Sequence, residues 1–135
     1  MIAVAVVFTR AVKGQDYLRM ALLGPSGSGK TFTALRIATA LARIVGGRVA
    51  LLDTEHGSAR KYADLFNFDH AMLESFAVER YIEAIRAAEA AGYRVLVIDS
   101  LSHAWAGKDG ILEFVDAVAR RQGGNTFGAW REASP

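Results

Sequence analysis

The octapeptide Gly24-Pro25-Ser26-Gly27-Ser28-Gly29-Lys30-Thr31 constrains this chain more than any other feature. It fills every fixed position of the phosphate-binding pattern G-x-x-x-x-G-K-[ST]. A short, mostly apolar run of strand length, Leu18–Leu23, precedes it. After it, Lys30–Val45 carries Leu35, Ile37, Leu41 and Ile44 near helical spacing and ends at Gly46-Gly47. Strand, glycine-rich turn and helix form the setting in which the pattern has a mechanism. Glycines at 24, 27 and 29 let the backbone approach a polyphosphate with its N–H groups turned inward. A helix starting near Gly29 aims the positive end of its dipole at the same anion. Lys30 is then expected to reach the β- and γ-phosphates, and the Thr31 hydroxyl to take a coordination position on Mg²⁺. A glycine-rich connection that binds nothing is the competing reading.

Elements alternate along the rest of the chain. Strands are predicted at Leu18–Leu23, Arg48–Asp53, Met72–Phe76 and Tyr93–Asp99, and helices at Lys30–Val45, Ala59–Leu65, Val78–Ala91 and Gly110–Gln122. Tyr81, Ile82, Ile85 and Ala88 share one face of the third helix, opposite Glu79, Arg80, Glu83 and Arg86. Val95-Leu96-Val97-Ile98 is an unbroken aliphatic run, the signature of a central parallel strand buried on both faces. Such alternation implies βαβ units, and so an α/β fold with a doubly wound, mostly parallel sheet flanked by helices. Gln122–Asn125 is the most linker-like interior segment.

Two further strand ends carry chemistry. Asp99, closing Val97-Ile98-Asp99-Ser100, sits at the carboxyl edge of the sheet, where open α/β folds bind ligands. Beside a phosphate-binding loop, that carboxylate is expected to hold Mg²⁺ directly or through water. Ser100 either hydrogen-bonds the water shell or caps the following turn. Leu51-Leu52-Asp53-Thr54-Glu55-His56 closes another strand at the same edge. A carboxylate here orients and deprotonates an attacking water, a role for Glu55 or for Asp53. Asp53 has a second possible use, capping the next helix. A loop with incidental acids is the plain alternative.

Composition narrows the class. The chain has 135 residues, of which 52% are hydrophobic, enough for a core in about one domain. There is no cysteine, which excludes disulfides and thiolate metal sites and fits a reducing, cytoplasmic compartment. The longest apolar run, Ile2–Val7, is too short to span a bilayer and lacks the flanks of a signal peptide. The net charge of +2 is unevenly spread, since residues 1–50 carry seven basic side chains against one acidic. A basic first third makes single-stranded DNA a candidate partner; a solvated surface around an anion-binding loop is the competing account.

Asp53-Thr54-Glu55-His56, with Tyr62 after it and Val97-Ile98-Asp99-Ser100 later, resembles the ATPase core of the bacterial RecA recombinase. The stretch from about Phe8 to Pro135 is similar to phage and prophage AAA-family ATPases with a RecA-like core. Their Leu-Leu-Asp-Thr-Glu-His-Gly-Ser and Asp-Ser-Leu-Ser-His-Ala-Trp-Ala-Gly stand here as Leu51–Ser58 and Asp99–Gly107. The resemblance implies a P-loop NTPase fold, ATP as the nucleotide, Glu55 as the water-activating base and Asp99 as the Mg²⁺ partner. It places Tyr62 near the adenine, although packing is the ordinary use of an aromatic in a short helix. It implies Mg-dependent ATP hydrolysis in phage-type DNA recombination, with a homo-oligomer as a candidate assembly of the full-length protein. It gives no mechanism for His103 or Trp105, and a buried Trp105 with its indole N–H satisfied is expected.

Two departures accompany the resemblance. RecA-like cores continue past this point with a strand between the phosphate-loop strand and the magnesium-site strand. Residues 1–135 therefore read as a single, incomplete RecA-like domain, truncated at its C-terminus and lacking a central strand. Met1–Val7 lies outside the resemblance and reads as an added edge strand, a disordered start or a misassigned start codon. A non-hydrolysing nucleotide-binding fragment and a small P-loop kinase are the alternatives to an ATPase. No Arg-rich lid segment supports the kinase.

Overall fold

Successive side chains of a strand point to opposite faces of its sheet, and both faces of this sheet carry helices. The computed structural model describes residues 6–14 and 16–134. Strands β1 (Val49–Asp53), β2 (Asp69–Met72) and β3 (Val95–Asp99) form one parallel sheet in the order β2-β1-β3. Ala50 stands opposite Asp69 and Leu96, and Asp53 opposite Met72 and Asp99.

Helix α1 (Lys30–Val45) covers one face. Its buried residues Leu35, Ala38 and Ala42 repeat at three, four and seven, a single stripe. Ala38 and Ala42 are small enough to bring the helix down onto Val49, Val95 and Val97. Leu35 packs with Leu51 and Ala59. Helix α2 (Val78–Ala90) and the short α3 (Ser102–Ala106) cover the other face, where Leu52, Phe76, Tyr81 and Ala104 meet Leu96 and Ile98. Each buried Leu contributes about 1.5–3 kcal/mol of transfer free energy. Beyond the sheet, α4 (Ile111–Arg121) and α5 (Thr126–Ala133) bury Val115, Val118, Ala119 and Ala129 against each other. The expected α/β class is therefore present as a three-stranded parallel sheet flanked by helices.

Several expectations are corrected. Leu18–Leu23 forms no strand, and Leu18, Met20 and Leu23 are exposed by 65%, 53% and 94%. A strand needs a ladder partner, and none pairs with this run among the described residues. β3 is an edge strand, not a central one, so its five residues are half-buried despite helices on both faces. The strand expected at Met72–Phe76 lies earlier, at Asp69–Met72, and is wholly exposed. The helix expected at Ala59–Leu65 is a 3-10 turn, Ser58–Tyr62. Helices α3 and α5 were not predicted, and Gln122–Asn125 is the turn between α4 and α5. Of the apolar start, residues 1–5 lie outside the described residues; Val6 and Val7 are exposed and outside any strand. No helix among the described residues is long and apolar enough to cross a membrane.

Candidate functional site

The glycine-rich loop runs along the surface before α1. Gly27 and Gly29 hold φ of 75° and 85°, left-handed conformations that side-chain-bearing residues adopt only under strain. No atom lies within 4 Å of where a Cβ would stand on either. At Gly24 a Cβ would meet Ser28 Oγ at 2.7 Å, so a side chain there requires the Ser28 hydroxyl to turn away. Ser28 N–H donates to the Pro25 carbonyl, closing the turn, and Ser26 sits exposed within it. The first turn of α1 has neither a side-chain cap nor an acidic residue. No side-chain carboxylate or hydroxyl caps the positive end of its dipole.

Lys30 folds back over this loop, its Nζ donating to the carbonyls of Gly24 (2.8 Å) and Pro25 (2.7 Å). Thr31 points the other way, toward the sheet edge. Its hydroxyl donates to Asp99 Oδ2 across 2.6 Å, although 68 residues separate the two in sequence. The loop and the end of β3 thus meet at two oxygens, both half-buried.

Asp53 and Asp99 are lateral neighbours at the ends of β1 and β3, with different surroundings. Asp53 is 1% exposed. Its carboxylate accepts from the backbone N–H groups of Glu55 (2.7 Å) and Ala59 (3.3 Å), so it caps the turn after β1. Of the two roles open to Asp53 in the sequence, the geometry gives it the cap. Glu55 is left on the exposed side, where its Oε1 accepts from Ser100 Oγ at 3.1 Å. The Ser100 hydroxyl is therefore engaged with Glu55.

Thr54, between these two acids, is buried and knits the strand ends together. Its N–H donates to the Asp99 carbonyl, and its Oγ1 accepts from Ser100 N–H at 2.7 Å. The same oxygen lies 2.9 Å from the Ser100 carbonyl and 2.9 Å from His103 Nδ1. Tyr81 OH also donates to the Ser100 carbonyl. Burial pushes the Tyr81 phenol above its usual range, which keeps it a donor. Sequence reasoning missed Thr54 and Tyr81 and left His103 without a role. The only signal for His103 was its place in a recognised motif, because its partner Thr54 lies 49 residues away.

Two aromatic expectations fare differently. Tyr62 packs edge-on against Phe32 at 6.1 Å and joins the cluster under Leu35 and Leu51. Trp105 is not buried: it is 50% exposed and stacks on Trp130 at 5.6 Å. It lies on a five-residue helix at the surface, and α5 supplies the ring that covers it.

A donor set of one hydroxyl and one carboxylate suits a hard cation, and Mg²⁺ is usually held by one or two protein oxygens plus substrate phosphates and water. The separation of 2.6 Å between Thr31 Oγ1 and Asp99 Oδ2 is close to the roughly 3 Å between adjacent ligands of an octahedral Mg²⁺. The residues fit the ion.

The family model described as AAA domain matches residues 16–135, nearly the whole chain. No curated protein and no solved structure matches it at a significant level. The match spans the phosphate-binding pattern, β1 with its acidic turn, and the Asp99 strand end. The chain belongs to the AAA domain family, a family of nucleotide-binding P-loop ATPases.

Proposed function

We propose that this chain binds ATP with Mg²⁺ on the loop Gly24–Thr31 and hydrolyses it with Glu55 as the base. The observation that supports this most is the Thr31–Asp99 contact of 2.6 Å, which joins the loop to the sheet edge beside Glu55. When nucleotide binds, Lys30 exchanges the Gly24 and Pro25 carbonyls for oxygens of the β- and γ-phosphates. Backbone N–H groups of Gly27, Gly29 and the first turn of α1 hold the same anion. Thr31 and Asp99 hold Mg²⁺, which when bound neutralises charge on the phosphate oxygens. Glu55 orients a water and takes its proton as the water oxygen bonds to the γ-phosphorus. The bond to the β–γ bridging oxygen breaks, and ADP leaves. Tyr62 is assigned to the adenine, which would extend the Tyr62–Phe32 pair.

The biological setting we assign is phage-type DNA recombination, with single-stranded DNA as partner and a homo-oligomer as the assembly. The DNA reading is supported by Arg36 and Arg43, which line a groove of about 320 Å³ with Phe66. Cationic grooves with an aromatic wall suit single strands, and such binding weakens as salt rises.

Steady-state phosphate release and ATP titration together test the reading. Glu55→Gln is expected to keep ATP affinity and lose about 100-fold or more in turnover, the usual worth of a general base. Lys30→Ala is expected to lose ATP binding with an unchanged circular dichroism spectrum. Undiminished turnover in Glu55→Gln would contradict the assigned base; nucleotide binding without phosphate release in wild type would mark a non-hydrolysing binder.

A further inference from the structure

His103 is held on three sides. Its ring stacks on Phe76 at 4.8 Å, and its Nδ1 lies 2.9 Å from Thr54 Oγ1 and 3.7 Å from Glu55 Oε1. Gly107 makes this packing possible, since a Cβ there would stand 2.6 Å from both the His103 carbonyl and the Phe76 ring. The proton on the ring follows from counting partners. A hydroxyl has one proton and two lone pairs, and Ser100 N–H occupies one lone pair of Thr54. The Thr54 proton then goes either to the Ser100 carbonyl or to His103 Nδ1. In the second case an imidazole lone pair faces the Glu55 carboxylate, which is repulsive. In the first case Nδ1 carries the proton and donates it to Thr54 Oγ1, and the positive N–H end of the ring lies 3.7 Å from Glu55 Oε1, which is attractive. Electrostatics selects the Nδ1–H form.

We propose that His103 is a positioning residue for Glu55. Ser100 Oγ–H donates to Oε1, and the positive end of the imidazole Nδ1–H, itself donated to Thr54, attracts the same oxygen from 3.7 Å, which leaves Oε2 to face the attacking water. Glu55 needs such support because its side chain is 45% exposed on a loop, whereas His103 is anchored by packing. Both donors belong to the segment that follows Asp99, so the base is tied to the strand end carrying the assigned metal ligand. This inference rests on the reading of Glu55 as the base.

The test compares phosphate release by wild type, Glu55→Gln and three substitutions at His103. Asparagine can place an N–H near the position of Nδ1; glutamine reaches toward Nε2. His103→Ala and His103→Gln are expected to lower kcat about 10-fold, as removal of an orienting partner commonly does. KM for ATP should stay within about 2-fold, because ground-state binding is untouched. His103→Asn should recover most of the lost kcat. Unchanged kcat in His103→Ala, no recovery in His103→Asn, or a loss confined to KM would each overturn the inference. A Glu55→Gln enzyme with normal turnover would instead overturn the reading of Glu55, and a wild type without phosphate release would overturn both. Nitrogen-15 spectra of the wild-type imidazole provide a check that needs no variant. The neutral ring is expected as the Nδ1–H tautomer; the Nε2–H tautomer would contradict the proposal.

Discussion

Strands β1 and β3 are both aliphatic runs that begin with valine and end in aspartate, Val-Ala-Leu-Leu-Asp and Val-Leu-Val-Ile-Asp, and they pair in register from end to end. Their environments differ. In β1, Val49, Leu51, Leu52 and Asp53 are 1–3% exposed; in β3 every residue is half-buried. The cause is position: β1 has a strand on each side, and β3 on one. That difference divides the labour between the two aspartates. Asp53, enclosed, spends its oxygens on the N–H groups of Glu55 and Ala59. Asp99, at the open side, keeps an oxygen turned to Thr31 and the glycine-rich loop. Identical side chains at equivalent strand ends thus become a structural cap and an assigned metal ligand.

The largest expected effect separates these aspartates by stability. Asp53→Ala leaves two N–H groups without their acceptor in an enclosed turn, at a cost on the order of 3 kcal/mol. Asp99→Ala should leave the urea midpoint nearly unchanged. Equal losses in denaturant titrations would break the division of roles.

A second pair isolates position from chemistry. Val49 in β1 and Val97 in β3 face the same helix, α1. Val49→Ala should cost about 2 kcal/mol, as a fully enclosed apolar truncation does, and Val97→Ala about half of that. If Val97→Ala proves the more damaging, the edge strand is more enclosed in solution than its surroundings here imply.

The smallest effect concerns the opposite, amino end of the sheet. Arg48 lies 3.0 Å from Asp69 and stacks over Tyr93, whose hydroxyl donates to Asp69 across 2.7 Å. This cluster links the starts of all three strands. It is exposed, so its net contribution is small. The hydrogen bond to the Asp69 carboxylate raises the Tyr93 pKa above its ordinary 10.0. The folded state then holds this proton more tightly than the unfolded chain. The associated stability is complete below pH 10.0 and is lost as pH rises through the higher folded value. Tyr93→Phe should flatten part of the alkaline slope in urea midpoints, and an identical slope would remove the linkage.

The comparison also explains what the sequence disclosed. Helix α1 was predicted at its observed bounds from Leu35, Ile37, Leu41 and Ile44 and from Gly46-Gly47, but the stripe it buries is Leu35, Ala38 and Ala42, and Ile44 is exposed. The ends of β1 and β3 were legible because each aliphatic run stops at an aspartate. Position within the sheet was not legible, since it depends on partners remote in sequence. For the same reason Leu18–Leu23 reads as a strand yet forms none. β2 was misplaced because an exposed edge strand that begins Asp69-His70 carries no apolar signature. Helix α5 did have a local signal: Asn125 Oδ1 accepts from Gly128 N–H as an N-cap. The loop, Thr31 and Asp99 were named from the sequence. The Thr54–Ser100–His103 network was not, because it exists only once β1 and β3 lie side by side.

The central claim is that Asp99, and not Asp53, serves the nucleotide site with Thr31. Its most direct test is an equilibrium titration of ATP with Mg²⁺ and with EDTA on wild type, Asp99→Ala and Asp53→Ala, each under conditions where the protein is folded. The account predicts that Mg²⁺ strengthens ATP binding in wild type and Asp53→Ala, by about 10-fold or more, as loss of one charge-assisted contact implies. Asp99→Ala should lose that gain. A full Mg²⁺ response in Asp99→Ala, with the response lost in Asp53→Ala, would contradict it.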